Sequence, residues 1–129
     1  MPGTPLIKKL HVKPGHRMLI LGAPEGYLDL LGPLPDGAKL LRRAGRELDF
    51  VQLFVRSAAE LARRAPKALA AARHDAVLWI CYPKKSSKVK SDLQCNQGFG
   101  PVYDAGLDSV AIISIDDTWS AMRFRPAKR

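Results

Sequence analysis

Apolar residues form four nearly continuous runs along the chain, and each run has the length of a buried strand. The runs are "RMLILG" at 17 to 22, "LDFVQLFV" at 48 to 55, "AVLWICY" at 76 to 82 and "SVAIISI" at 109 to 115. The first three runs lack alternation, which is typical of parallel strands that are covered on both faces. A further segment, "WSAMRFRP" at 119 to 126, follows a "DDT" turn and predicts an antiparallel hairpin with the fourth run.

Shorter signals fill the spaces between these runs. Thr4 followed by proline predicts a short leading helix, and residues 25 to 31 predict a second one that ends at "GPLPDG". "AKLLRRA" at 38 to 44 predicts a short edge strand. Residues 92 to 105 contain "GFGP", which disfavours a continuous helix, so we expect a short or broken helix there.

The segment after the second run carries the strongest helix signals. Ser57 and Glu60 form a capping box, and an alanine-rich stretch follows them. Pro66 lies inside this stretch. Because proline lacks an N–H and crowds the preceding turn, we expect a kink or a division of the helix near Ala65.

The order of these elements predicts one α/β domain over residues 1 to 129, with an open, mostly parallel sheet and helices on both faces. We expect the four apolar runs to be parallel, and the last strand to insert antiparallel beside "AVLWICY". "AKLLRRA" should flank "RMLILG" at the far edge. Ligands of such sheets bind where the carboxyl ends of the strands meet, which here are the loops "APEG", "VRS", "YPKKSS" and "IDDTW".

Composition excludes several classes of protein. No apolar run approaches the roughly 20 residues that cross a bilayer, and the N-terminus lacks a signal-peptide pattern, so we expect a cytoplasmic protein that does not associate with membranes. Cys81 and Cys95 form no C-x-x-C pair, which predicts reduced thiols. His11, His16 and His74 are isolated, so we expect them at the surface or hydrogen bonded, and no metal site.

The net charge of +9 raises the affinity for anions, and both a small anionic ligand and a nucleic acid stay open as partners. The basic runs, such as "LLRRAGR" and "PKKSSKVK", are not interleaved with aromatic residues as a base-stacking platform would require. This favours a solvated basic face over a nucleic-acid surface.

Four ordered motifs resemble an uncharacterised family of short bacterial α/β proteins, a domain of unknown function. They are "VKPGHRMLILGAPEGY", "LDFVQLFVRSAAEL", "LWICYPKKSS" and "IDDTWSAMRFRP", and together they span nearly the whole chain. This resemblance implies an α/β fold and identifies no activity, catalytic residue or cofactor.

"KPGHRMLILG", "LDFVQLFV", "DAVLWICYPK" and the terminal hairpin also resemble, more distantly, class I methyltransferases that use S-adenosylmethionine. This resemblance implies a Rossmann-like sheet with a shortened methyltransferase-like topology. Gly22 and Gly26 match the outer positions of the G-x-G-x-G turn of those enzymes, whereas Pro24 replaces the middle glycine. Ile20 stands where an acid is usual, and only about two dozen residues separate Gly22 from Asp49, too few for the full segment that carries the ribose-binding acid.

The candidate ligand-binding residues share one expected position, the carboxyl edge of the sheet. They are Gly22, Gly26, Arg56, Ser57, Lys84, Lys85, Ser86, Asp116, Asp117 and Trp119. Backbone amides, a helix N-terminus and lysines there could hold an anion, the aspartates a base or a metal, and the tryptophan ring a planar ligand. A plain turn, a solvated loop, turn-capping aspartates and a packed tryptophan are the favoured alternatives.

These observations favour a binding or regulatory role without catalysis, and they name no cofactor and no catalytic residue. Two alternatives stay open. One is a methyltransferase-like enzyme that binds S-adenosylmethionine or a nucleotide, and the other is a basic protein associated with nucleic acid.

Overall fold

The computed structural model describes residues 6–41, 45–85, 87–88, 91–93 and 98–127, which form a six-stranded sheet with helices on both faces. The strands are β1 (Arg17–Leu21), β2 (Lys39–Leu41), β3 (Leu48–Phe54), β4 (Ala72–Pro83), β5 (Leu107–Ser114) and β6 (Trp119–Pro126). The helices are α1 (Leu6–Lys9), α2 (Tyr27–Leu31), α3 (Ala58–Ala71) and α4 (Gly100–Asp104). No helix in these ranges is long and apolar enough to cross a membrane.

The sheet has the strand order β2-β1-β3-β4-β6-β5. β2, β1, β3 and β4 pair in parallel, and β6 is antiparallel to both β4 and β5. The insertion of the last strand beside "AVLWICY" is confirmed, and so is the position of the short strand from "AKLLRRA" at the far edge. The structure therefore confirms an open, mostly parallel α/β sheet with a C-terminal antiparallel hairpin.

Side chains alternate between two core layers, because successive residues of a strand point to opposite faces. On one face, Leu61 and Ala68 of α3 pack against Leu53 and Ile80 of the sheet. On the other face, the segments around α1 and α2 cover an aromatic layer that includes Tyr27, Phe54, Trp79 and Trp119. Both faces of the central strands are therefore covered, as their continuous apolar runs predict.

Helix α3 continues through Pro66, so the predicted division near Ala65 is wrong. The proline removes the donor that would bond to the carbonyl of Ala62, one turn earlier. Both Ala62 and Pro66 are exposed. Water can therefore satisfy the freed carbonyl, which lets the helix continue to Ala71.

Strand β4 begins at Ala72, earlier than the predicted start at Ala76. Leu48 of β3 pairs with Ala72, and the pairing then shifts so that Phe50 pairs with Val77. The extra residues include Asp75, which has a φ of 56°. This irregular start has no apolar run, which is why the hydrophobic pattern did not reveal it. The short helix α4 agrees with the prediction for 92 to 105, whereas Thr4 lies outside the described residues.

Candidate functional site

The carboxyl ends of β1, β3 and β4 bring most of the predicted site residues to one edge of the sheet. We call residues 22–26, between β1 and α2, the first junction, and residues 55–57, between β3 and α3, the second junction. Gly22 and Gly26 lie at the first junction, and Arg56 and Ser57 at the second. Lys84 and Lys85 follow β4, Asp116 and Asp117 form the hairpin turn, and Trp119 begins β6. Ser86 lies outside the described residues.

The first junction is a tight turn whose two glycines have different roles. Gly22 has a φ of +72°, and a Cβ atom there would lie 2.7 Å from the carbonyl oxygen of Phe54. Gly26 has a φ of +81°, and a Cβ atom there would meet nothing within 4 Å. Gly22 is therefore required by close packing against β3, whereas Gly26 faces open space.

An open groove of about 450 Å³ lies beside the first junction. The described residues that line it are all apolar: Ile20, Ala23, Leu28, Leu40 and Leu41. Leu28 is 52% exposed, so this wall of the groove is accessible from solvent. A groove with such walls can bury one face of a planar, weakly polar ring.

A hydrogen-bonded chain of side chains lies beneath the first junction. The Tyr27 hydroxyl donates to Gln52 Oε1 at 2.9 Å, and Gln52 Nε2 donates to Cys81 Sγ at 3.2 Å. Burial raises the pKa of both Tyr27 and Cys81, so both stay protonated at neutral pH. These two hydrogen bonds fix α2 to β3 and β4. The sequence analysis missed it, although Gln52 is a polar residue inside an apolar run.

The second junction is closed by acceptors from the protein itself. Ser57 Oγ accepts from the Glu60 N–H at 3.1 Å, and Glu60 Oε1 accepts from the Arg56 N–H at 2.6 Å. Asp92 Oδ1 accepts from the Ala58 N–H at 2.8 Å. Two carboxylates therefore occupy the positions at the start of α3 where an anionic ligand would bind. The spacing of Ser57 and Glu60 predicted this cap from the sequence. The contact of Asp92 was not predicted.

Trp119 is 4% exposed and packs in the core. Its ring meets that of Phe54 edge-on, with 5.1 Å between the centroids. The guanidinium of Arg56 lies 5.6 Å from the centre of the Trp119 ring. Arg56 thus covers the ring at the edge of the sheet, and Trp119 has the packed environment that was the favoured alternative.

Lys84 and Asp116 connect the loop after β4 to the hairpin. The Lys84 N–H donates to the Thr118 carbonyl at 2.7 Å, and its ammonium donates to Ser114 Oγ at 2.6 Å. Asp116 Oδ1 accepts from the N–H groups of Thr118 and Trp119, each at 2.8 Å. Asp116 therefore caps its own turn, and the Lys84 ammonium is bound at the end of β5.

Lys85 and Asp117 are both exposed. They are placed at the same edge of the sheet as the two junctions, but neither belongs to the lining of the groove. The structure thus gathers the described members of the predicted set at one edge of the sheet.

A smaller cavity lies at the opposite edge, where the parallel strands begin. It has a volume of about 200 Å³, an apolar floor that includes Leu78 and Phe124, and Arg73 and Asp75 among its other lining residues. Hydrogen bonds from Arg125 hold the pKa of the Asp75 carboxyl below its usual range. The sequence analysis placed no site at this edge, because the rule for α/β sheets favours the carboxyl ends.

No family model matches the sequence, and the search of curated proteins also found no match. Among solved structures, a SAM-dependent methyltransferase from Aquifex aeolicus is 14% identical and has a TM-score of 0.63, with 92% of this chain and 86% of that chain covered. The fold is methyltransferase-like. A fibrillarin/Nop5p complex is 10% identical and has a TM-score of 0.52, with 88% and 73% of the two chains covered. The fold implied by the second sequence resemblance is thereby confirmed.

Proposed function

We propose that this protein binds an adenosyl compound without catalysing its reaction, and that the ligand occupies the apolar groove at the first junction. This proposal rests on a contrast at the carboxyl edge between polar side chains that are already hydrogen bonded and a groove that is open. Ser57, Lys84 and Asp116 are engaged in hydrogen bonds of the protein itself. The groove, in contrast, is open and its lining is apolar.

The groove and its turn favour an uncharged or cationic nucleoside over a phosphorylated one. The apolar walls suit the face of an adenine ring. Gly26 carries no side chain between the turn backbone and solvent. Glu25 is exposed in the same turn, and its carboxylate would repel a phosphate. We therefore expect adenosine, S-adenosylhomocysteine and S-adenosylmethionine as ligands, and the sequence resemblance to methyltransferases supports the same class.

The described residues fit the adenine ring better than they fit the rest of S-adenosylmethionine. None of the described residues that line the groove contributes a carboxylate for the ribose hydroxyls. Pro24, in the middle of the turn, has no N–H to donate. Bound S-adenosylmethionine would supply an activated methyl group, but Asp116 uses its Oδ1 to cap the hairpin turn and does not line the groove. We therefore expect modest affinity and no methyl transfer.

Methyl transfer is the second candidate, because the sheet is similar to that of a SAM-dependent methyltransferase at a TM-score of 0.63. Calorimetric titration with adenosine, S-adenosylhomocysteine, S-adenosylmethionine and ATP separates the two. Our proposal predicts that the first three bind and that ATP binds more weakly. Methyl transfer from labelled S-adenosylmethionine to a panel of proteins and nucleic acids would favour the second candidate.

Two tryptophan substitutions locate the site. Ala23 lines the groove and is exposed, so Ala23→Trp should fill the groove without disturbing the core. Ala70 is an exposed residue of α3, and Ala70→Trp serves as the matched control. The proposal requires Ala23→Trp to abolish adenosine binding and Ala70→Trp to preserve it. Equal affinities in the two variants, or no binding of any adenosyl compound to the unmodified protein, would refute it.

A further inference from the structure

Arg123 of β6 is a partly buried arginine without a carboxylate partner. It lies opposite Trp79 of β4, so its side chain is on the face of the sheet that α1 covers. Its Nε is buried and has no hydrogen-bond partner among the described residues. All 12 acidic residues of the chain are described, and none of the ion pairs between described residues includes Arg123. The fold therefore leaves this charge unpaired, although burying an unpaired charge costs stability.

The neighbouring ion pair does not neutralise Arg123. Asp75 accepts two hydrogen bonds from Arg125, at 2.9 and 2.7 Å, so both of its oxygens are engaged. Burial and the charge of Arg125 lower the pKa of Arg123, whereas the charge of Asp75 raises it. Arginine nevertheless stays protonated in proteins, so Arg123 is a cation that can still bind an anion.

His11 ends α1 in a conformation that normally selects glycine. Its φ is 63°. Its N–H donates to the Lys8 carbonyl at 3.0 Å, and the Val12 N–H donates to the Ile7 carbonyl at 3.2 Å. These bonds form a Schellman motif, in which glycine is the usual residue at the left-handed position. The His11 ring is parallel to that of Trp79, the residue opposite the unpaired arginine, with 6.5 Å between the centroids.

Two locally unfavourable residues, His11 and Arg123, thus meet at the same tryptophan. Sequences break local rules mainly where a side chain is needed for function. Partial burial and the charges of Arg123 and Lys13 lower the pKa of His11, so its imidazole is neutral at neutral pH and can donate one hydrogen bond. An anion beside His11 would therefore meet two cations and a neutral donor.

A groove of about 530 Å³ adjoins His11. Its lining includes three large apolar residues and three basic ones, which are Ile7, Val12, Leu34, Lys8, His11 and Lys13. None of the described residues that line it is acidic. Asp36 follows this lining in the chain and is exposed outside it. The groove thus joins an apolar surface to a basic border at His11.

We propose that this groove binds a phosphate monoester with an apolar body. The apolar body would lie on the apolar part of the lining, and the phosphate would contact His11, Lys13 and Arg123. Two cations suit a phosphate monoester, which carries close to two negative charges at neutral pH, and arginine can bind it through two parallel N–H groups. The inference does not depend on the proposed adenosyl ligand, because the described linings of the two grooves share no residue.

The test compares octyl phosphate, inorganic phosphate and octanol as ligands, at concentrations below micelle formation and with adenosine present. We expect octyl phosphate to bind at least about tenfold more tightly than either of the others. It should shift the backbone amide signals of His11 and Lys13 in nuclear magnetic resonance spectra. Equal affinity for inorganic phosphate would contradict a role of the apolar surface, and equal affinity for octanol a role of the cations. Either result, or competition between octyl phosphate and adenosine, would overturn the proposal.

Arg123→Met separates binding from stability. Because the Arg123 Nε has no partner, this variant should unfold at the same temperature as the unmodified protein or at a higher one, and it should bind octyl phosphate at least about tenfold more weakly. Lys67→Met removes one charge from an exposed position of α3 and is the matched control, which should keep full affinity.

His11→Gly provides a second variant that should fold, because glycine is favoured at the left-handed end of α1. It should also weaken the binding of octyl phosphate. An affinity in Arg123→Met equal to that in Lys67→Met would refute the proposal. So would loss of stability in Arg123→Met together with full affinity in His11→Gly, because the two residues would then serve the fold alone.

Discussion

The first and second junctions leave neighbouring parallel strands at the same edge of the sheet, yet they treat their helix starts in opposite ways. At the second junction, Ser57, Glu60 and Asp92 accept the N–H groups at the start of α3. At the first junction, the N-cap residue of α2 is Gly26, which makes no side-chain hydrogen bond. One junction is stabilised and closed by its own side chains, and the other remains open beside a groove.

This difference shows how a sheet of methyltransferase-like order can close one helix start with side chains and leave a neighbouring helix start open. Side-chain capping satisfies backbone donors and stabilises the helix, but it also uses the groups that could hold a ligand. The first junction is held to β3 and β4 by the hydrogen bonds from Tyr27 to Gln52 and from Gln52 to Cys81. Its upper surface therefore needs no capping side chain.

The largest expected effect concerns Gly22, where the first junction packs against the end of β3. Gly22→Ala should destabilise the protein by about 3 kcal/mol, because the new Cβ would meet the Phe54 carbonyl oxygen at 2.7 Å in a left-handed conformation. Gly26→Ala has the same type of conformation without the close contact, and should cost about 1 kcal/mol. Denaturant unfolding of both variants measures the difference. Equal losses would show that Gly22 is required for its backbone angles alone.

An intermediate effect is expected at the support beneath the first junction. Tyr27→Phe removes the donor to Gln52 Oε1 in a buried site and should cost about 2 kcal/mol. Adding Gln52→Met replaces the unsatisfied amide by an apolar side chain, so the double variant should lose less than the sum of the two single variants. Thermal unfolding of the three variants completes the cycle. Strict additivity would mean that the hydrogen bond does not couple α2 to β3.

A smaller effect is expected at the closed junction. Ser57→Ala removes the side-chain cap of α3 and should cost about 1 kcal/mol. Because the second junction is not the proposed site, the affinity for adenosine should stay unchanged. Calorimetry on the folded variant checks this point, and a loss of affinity larger than the loss of stability would reopen the second junction as a binding site.

The sequence was informative wherever the determining pattern is local. Continuous apolar runs predicted the main strands, and Ser57 with Glu60 predicted the start of α3. The runs in β3 and β4 are buried, whereas the run in β5 is exposed at the edge of the sheet. The contacts that decide the character of the site join distant residues. Asp92 reaches Ala58, and the Lys84 ammonium reaches Ser114. The groove is formed by residues of β1, α2 and β2, which are apart in the sequence, so no short motif could predict it.

The glycine turn illustrates the same limit. Its spacing correctly marked a strand-to-helix junction, but the sequence could not distinguish a glycine that faces a ligand from one that faces another strand. Gly22 is of the second kind, because the carbonyl of Phe54 occupies the space beside it. That distinction requires the position of β3, which is fixed only by the assembled sheet.

We propose that an adenosyl ligand binds at the first junction and that no such ligand binds at the second junction. A titration with S-adenosylhomocysteine, followed through the backbone amide signals in nuclear magnetic resonance spectra, tests it most directly. We predict saturable shifts for residues 22 to 28 and for Leu40 and Leu41, which Ala23→Trp abolishes, and constant signals for Ala58 and Glu60. Shifts confined to the second junction, or no saturable shift at the first, would contradict the account.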